Sequence, residues 1–229
     1  MPFFVTIEGV EGAGKSTLRS GLADATRQFG IEVVVTREPG ATTLGRALRS
    51  LLLSPENSNI DPLAELMLFS ADRAQHVNEV IRPALNRGAL VICDRFIHST
   101  LAYQGYGRGL DLTALRFLNN LVTGGLTPEM VLYLDLSPEV GLTRAQHRVE
   151  KSTAGFNLKS VIESGVVPGQ SDRFESQSIE FHRAVRTGFL NLAKEPSERF
   201  VTIDASKSSD DVLRTAVAAI AELLVRSKK

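Results

Sequence analysis

Apolar residues in this chain gather in short runs separated by longer stretches of helical period. The runs Phe3–Glu8, Glu32–Thr36, Ala89–Asp94, Met130–Asp135 and Arg199–Asp204 have strand length and are nearly continuous in apolar character. Continuity of that kind is expected of a strand covered on both faces. Helical patterns fill the intervals, at Lys15–Phe29, Thr43–Leu53, Pro62–Asn86, Leu112–Val122, Pro138–Arg148, Gln177–Ala193 and Asp210–Arg226. The alternation predicts an α/β fold with a parallel five-stranded sheet and helices on both faces, linked by right-handed crossovers. Ligands of such sheets bind beyond the carboxyl ends of the strands. Three polar segments fall there: the loop after Glu8, Arg37-Glu38-Pro39-Gly40, and Asp94-Arg95-Phe96.

One stretch breaks the rhythm. Lys151 to Ser171 is rich in Gly, Ser and small residues, with a modest apolar centre. A connection of this length within a compact domain reads as a lid, a binding loop or a disordered insert. The 229 residues suffice for one domain, so residues 1–229 are read as a single unit with a lid region at about 144–175.

Composition narrows the partners. Lys plus Arg and Asp plus Glu number 26 each. That balance gives no general attraction to nucleic acid or to an anionic membrane, and neither is expected as a partner. The single cysteine, Cys93, lies in an apolar strand and reads as a small core residue. No intrachain disulfide can form, no apolar run is long enough to span a bilayer, and the first residues lack the pattern of a signal peptide. A cytoplasmic location is the expectation.

The chemistry begins at Gly9-Val10-Glu11-Gly12-Ala13-Gly14-Lys15-Ser16-Thr17. A strand running into G-x-x-x-x-G-K-S and then a helix is the pattern of a phosphate-binding loop. Glycines let successive backbone N–H groups turn inward around phosphates, and the helix adds its positive N-terminal end. Lys15 supplies a cation to the β- and γ-phosphates, and the Ser16 hydroxyl suits a magnesium ion. Asp94 ends an apolar strand, where such a loop needs a second magnesium partner; a helix N-cap is its bland alternative. Arg95, next to it, is placed to grip a phosphate. Phe69 and Arg73 are four apart on one helical face and could take a planar base, against the plain reading of a core ring and an exposed arginine. His76 reads as solvated or capping.

Taken together, these segments resemble the thymidylate kinases of bacterial type. The resemblance rests on Glu8–Thr17, Thr36–Gly40, Phe69–His76, Asp94–Phe96, Ala102-Tyr103-Gln104-Gly105 and Asp172-Arg173-Phe174-Glu175, in order, from residue 3 to about 205. It implies a P-loop nucleotide-kinase fold, ATP and Mg2+ as donor and metal, dTMP as acceptor, and a homodimer. Phe69 would stack on thymine, Arg73 would bond its edge, and Gln104 would lie near the base. Arg95 would hold the acceptor phosphate, with Arg37, Pro39 and Arg49 nearby. Glu11 would lie by the sugar 3′-hydroxyl and the transferring phosphate, and Tyr103 would crowd the ribose 2′ position. Ser99 and Thr100 would line the same pocket. The family lid is shorter and richer in arginine than this one. Arg148 is therefore the first choice for the catalytic lid arginine, with Arg144 and Arg173 behind it, each weighed against a salt bridge with Glu150 or Asp172. Another nucleoside or nucleotide kinase, or a P-loop ATPase that is not a kinase, is the competing assignment.

Overall fold

The computed structural model describes residues 3–27, 30–154, 172–196 and 199–226. The greater part of the segment expected to form the lid, residues 155–171, lies outside the described residues. The strands are β1 (Phe3–Gly9), β2 (Val33–Arg37), β3 (Leu90–Asp94), β4 (Met130–Asp135) and β5 (Phe200–Asp204). They form one parallel sheet in the order β2-β3-β1-β4-β5. The five expected strands are thus present within about a residue at each end.

The pleat sorts the side chains of β1 between two cores. Phe3, Val5 and Ile7 join Leu90 and Ile92 of β3 under Leu18 and Leu22 of α1 (Lys15–Arg27). Ala216 and Ile220 of the last helix, α9 (Ser209–Arg226), belong to the same cluster. Phe4 meets Val91 and Cys93 together with Val77, Ile81 and Ala84. Full burial of each large apolar side chain contributes roughly 1.5–3 kcal/mol. Cys93 is wholly buried and burial pushes its thiol up, as suits a core residue.

Between β2 and β3 run α2 (Thr43–Leu53) and a continuous helical stretch comprising α3 (Pro62–His76), a π-helical turn at Val77–Ile81 and α4 (Arg82–Asn86). Thr42 caps α2 by accepting from Gly45 N–H at 2.9 Å. Asp61 caps α3 ahead of Pro62. After β3 come α5 (Ile97–Thr100), a second π-helical turn at Leu101–Gly107, and α6 (Leu112–Thr123), which Gly124 ends in the left-handed region at φ 57°. Then α7 (Pro138–Ala154) runs six residues beyond the expected Arg148, and α8 (Ile179–Leu192) follows. The strand order turns back around β1. The ends of β1, β2 and β3 therefore share one rim with the phosphate loop.

Candidate active site

The loop is built as its residue types require. Gly9, Gly12 and Gly14 have φ of 148°, 70° and 93°. A Cβ on Gly12 would run into the Gly141 carbonyl, so α7 packs directly against the loop at this glycine. Lys15 folds back over the loop, Nζ donating to Gly9 O at 3.0 Å and Val10 O at 2.8 Å. Burial first, then Arg95, pull Lys15 down to about 8. Ser16 and Thr17 are exposed at the start of α1.

Arg95 reaches back from the end of β3 to the same loop. Its guanidinium donates to Gly9 O at 3.1 Å and to Glu11 Oε1 at 2.7 Å, and lies over the Tyr103 ring at 4.8 Å. The Tyr103 hydroxyl donates to Glu11 as well, 2.6 Å from Oε2. Burial would raise the Glu11 carboxyl, but Arg95, Lys15 and the Tyr103 bond outweigh it and hold the acid below its usual range. Three expected residues from three elements thus converge within hydrogen-bond distance. His182 of α8, unmarked in the sequence reading, joins them: it is buried, with Nδ1 3.7 Å from Glu11 Oε2.

A second group of cations gathers at the end of β2. Arg37 pairs in register with Asp94. Burial and Arg19 lower Arg37, and burial and Arg37 pull Arg49 down to about 10. Arg49 Nη1 donates to Pro39 O at 3.1 Å. Arg19 of α1, also unmarked in the sequence, stands 3.7 Å from Asp94 Oδ2. Guanidinium groups that depress one another are unfavourable alone and become favourable around a polyanion.

The turn that carries Arg37 and Pro39 is held by α3 through three residues on one helical face. Asp72 Oδ1 accepts from Gly40 N–H at 3.0 Å. Arg73 Nε donates to Glu38 Oε2 at 2.8 Å. His76 bridges Glu38 at 2.9 Å and the Thr36 hydroxyl at 2.7 Å. The expectation of a solvated or capping His76 is therefore corrected: it is wholly buried between two motifs. The plain reading of an exposed Arg73 is also corrected, since Arg73 is 2% exposed, whereas Phe69 is half-buried and packs against the core as that reading had it. Arg73 gives further bonds to Thr100, Asn119 and Phe96 O, so four of its five N–H groups are taken within the described residues.

Phe69 faces Phe174 at 6.0 Å between ring centroids, and Phe174 faces Tyr103 at 5.7 Å. Gln104 Nε2 donates to buried Glu65 at 2.8 Å. Ser99 and Thr100 lie on α5, where Ser99 Oγ accepts from Arg95 at 3.2 Å and Thr100 Oγ1 accepts from Arg73 at 2.7 Å. The lid arginines separate. Arg173 is 1% exposed, ion-paired to Glu65 at 2.6 Å and donating to Leu52 O at 3.0 Å, and so is an internal anchor. Arg144 donates to Ala205 O at 2.9 Å. Arg148 is exposed and pairs with Glu175, rather than with Glu150 or Asp172.

A parallel sheet of this order, a lysine-bearing phosphate loop and a facing set of arginines define a P-loop nucleotide kinase. Comparison with known proteins narrows the class. The family model described as thymidylate kinase matches residues 7–216. The thymidylate kinase of Desulfovibrio desulfuricans is 52% identical over 97% of both chains, and that of Synechococcus sp. (strain JA-2-3B'a(2-13)) is 49% identical over 91% of this chain and 89% of its own. A crystal structure of thymidylate kinase from Ehrlichia chaffeensis superposes with a TM-score of 0.70 at 31% identity, covering 96% of this chain and 98% of that one. The chain belongs to the thymidylate kinase family.

Proposed function

We propose that this enzyme transfers the γ-phosphoryl group of ATP to dTMP, giving ADP and dTDP, with the residues above in the following roles. The loop Gly9–Thr17 binds the donor phosphates through backbone N–H groups and Lys15. Arg37, Arg49 and Arg95 hold the acceptor phosphate, and Pro39 shapes the turn beneath it. Phe69 covers the base, the remaining N–H of Arg73 addresses its edge, and Gln104 lies beside it. Tyr103, with Ser99 and Thr100, closes the sugar side. Glu11, oriented by Arg95 and Tyr103, faces the 3′-hydroxyl and the transferring phosphate. The nucleophile is a phosphate oxygen that is already anionic, so no general base is required. Catalysis then consists of alignment and charge stabilisation by Lys15, Arg95 and a lid arginine, for which Arg148 is the candidate. Ser16 and Asp94 suit magnesium, an ion that one or two protein oxygens hold together with substrate phosphates. When bound it neutralises charge between the two nucleotides. The lid region, about 144–175, excludes water from the site.

The observation that supports this reading most is the gathering of arginines at the ends of β2 and β3, Arg19 3.7 Å from Asp94, Arg37 in register with it and Arg95 on Gly9 O of the phosphate loop, a set suited to a second anionic ligand. The decisive experiment assays ADP formation with ATP and a panel of nucleoside monophosphates. dTMP should be turned over fastest. ATP consumption indifferent to dTMP would point to a P-loop ATPase, and a faster partner in the panel to another nucleotide kinase.

A homodimer accords with the surface. Leu63 and Met67 on α3 are 54% and 48% exposed, and Phe117 and Leu121 on the adjacent α6 are 71% and 64% exposed. Both are i, i+4 pairs and form apolar stripes on neighbouring helices. Among the described residues no helix is long and apolar enough to cross a membrane.

A further inference from the structure

Glu8 is the penultimate residue of β1 and is wholly buried. Burial pushes its carboxyl up, against His98, Ser99 and Arg95, which favour its charge. A strand covered on both faces needs no acid at this position, and a buried one is costly unless its oxygens are engaged. Both oxygens are engaged, and both by the turn that follows β3. Oε1 accepts from the Phe96 N–H at 2.8 Å, and Oε2 accepts from the Ser99 hydroxyl at 2.6 Å.

Between these anchors and the strand stands Arg95, with φ at 71°. It is the only non-glycine residue with positive φ among those described. A bulky side chain keeps that conformation only where its surroundings over-determine it. On the near side Arg95 N–H donates to Ile7 O at 2.9 Å. On the far side the next backbone N–H is the one that Glu8 takes. The conformation sends the guanidinium back over Gly9 O, Ser99 Oγ and Glu11. Extended backbone at the same residue would carry the side chain elsewhere.

We propose that Glu8 is a positioning residue for acceptor binding: by holding Phe96 N–H and Ser99, it keeps Arg95 in the left-handed conformation that aims its guanidinium at the acceptor phosphate. The proposal rests on the assignment of Arg95 to that phosphate.

The test is a double-mutant cycle on ligand affinity. Calorimetry compares dTMP with thymidine, which lacks the phosphate, in wild type, Glu8→Gln, Arg95→Ala and the double variant. Glu8→Gln keeps the volume and replaces a charged acceptor by a neutral one. It should weaken dTMP roughly fivefold to twentyfold more than thymidine. In the Arg95→Ala background it should add nothing, because no guanidinium is left to aim. Glu8→Asp keeps the charge, shortens the reach, and carries the same expectation. Equal weakening of both ligands, independent effects in the double variant, or no effect on dTMP would each overturn the proposal. So would failure of both Glu8 variants to fold, since the acid would then support β1 rather than Arg95. If Arg95→Ala itself leaves the preference for dTMP over thymidine unchanged, the phosphate assignment fails instead, and the two failures are thereby distinguished.

Discussion

At the scale of single residues, the site mixes charges that their neighbours favour, such as Glu11, with charges held where they are unfavourable. Asp72 is the plainest case. Its Oδ1 holds Gly40, but among the described residues its buried Oδ2 has no hydrogen-bond partner, and burial first, then Glu38, push it up to about 6. An acid whose folded value exceeds its ordinary 3.8 binds more protons when folded. Its favourable contribution is complete below about 4 and is lost as pH rises through about 6. Asp72→Asn, which keeps an acceptor for Gly40, should therefore stabilise the fold by on the order of 1–3 kcal/mol at pH 7.5, with little gain at pH 4. Urea unfolding at both pH values checks this; an equal gain at both would remove Asp72 ionisation as the cause. Lys15 is the counterpart in the proposed catalytic machinery. Loss of one preorganised donor in a closed site costs about 2.7–4 kcal/mol, so Lys15→Ala should lower kcat by roughly a hundred- to a thousandfold with melting near wild type. Turnover within a few fold of wild type would reassign Lys15 to loop structure.

At the scale of elements, the proposed acceptor side is a clamp between α3 and the turn after β2. Asp72, Arg73 and His76 project from one face and take Gly40, Glu38 and Thr36. The N-terminal turn of α2 is pressed into the same clamp. Gly45 lies in that turn, and a Cβ there would collide with Asp72 Oδ1 and crowd the Thr42 cap. Helix propensity alone favours alanine at such a position by about 1 kcal/mol. The packing predicts the opposite sign: Gly45→Ala should destabilise by roughly 1–3 kcal/mol and raise KM for dTMP more than for ATP. Denaturation and steady-state kinetics decide between them. A stabilised variant would show that Asp72 can yield.

At the scale of the molecule, the exposed stripes on α3 and α6 bear on assembly. α3 also carries Phe69 and the clamp residues, so the proposed dimer face shares that helix with the proposed acceptor pocket. Replacing Phe117 and Met67 together with glutamate would put charge in the centre of an apolar interface. The variant should sediment at half the mass of the wild type and remain folded. An unchanged mass would place the contact elsewhere or leave the wild type monomeric.

The sheet and the phosphate loop were legible in the sequence because both are written locally. A strand buried on both faces is a continuous apolar run, and a phosphate loop needs its glycines, lysine and serine at fixed spacing. The helical segment at 97–107 was not legible, for a physical reason. Leu101 to Gly105 are all buried, so no polar face alternates with an apolar one, and Gly105 and Gly107 stand where Leu112 and Phe181 press close. Arg73 was open between a base ligand and an exposed arginine, His76 read as solvated or capping, Arg173 stood as a lid candidate and Glu65 drew no notice; that all four are buried was not legible, because burial of a charge depends on partners 23 to 121 residues away. The same holds for Glu8, whose partners arrive from the far side of β3. The sequence by itself determined the alternation of elements, the phosphate loop and the identity of the cations. Only the tertiary structure decided which of those cations gather beside the phosphate loop and which are paired inside the protein, because that depends on which opposite charges the fold brings beside each one.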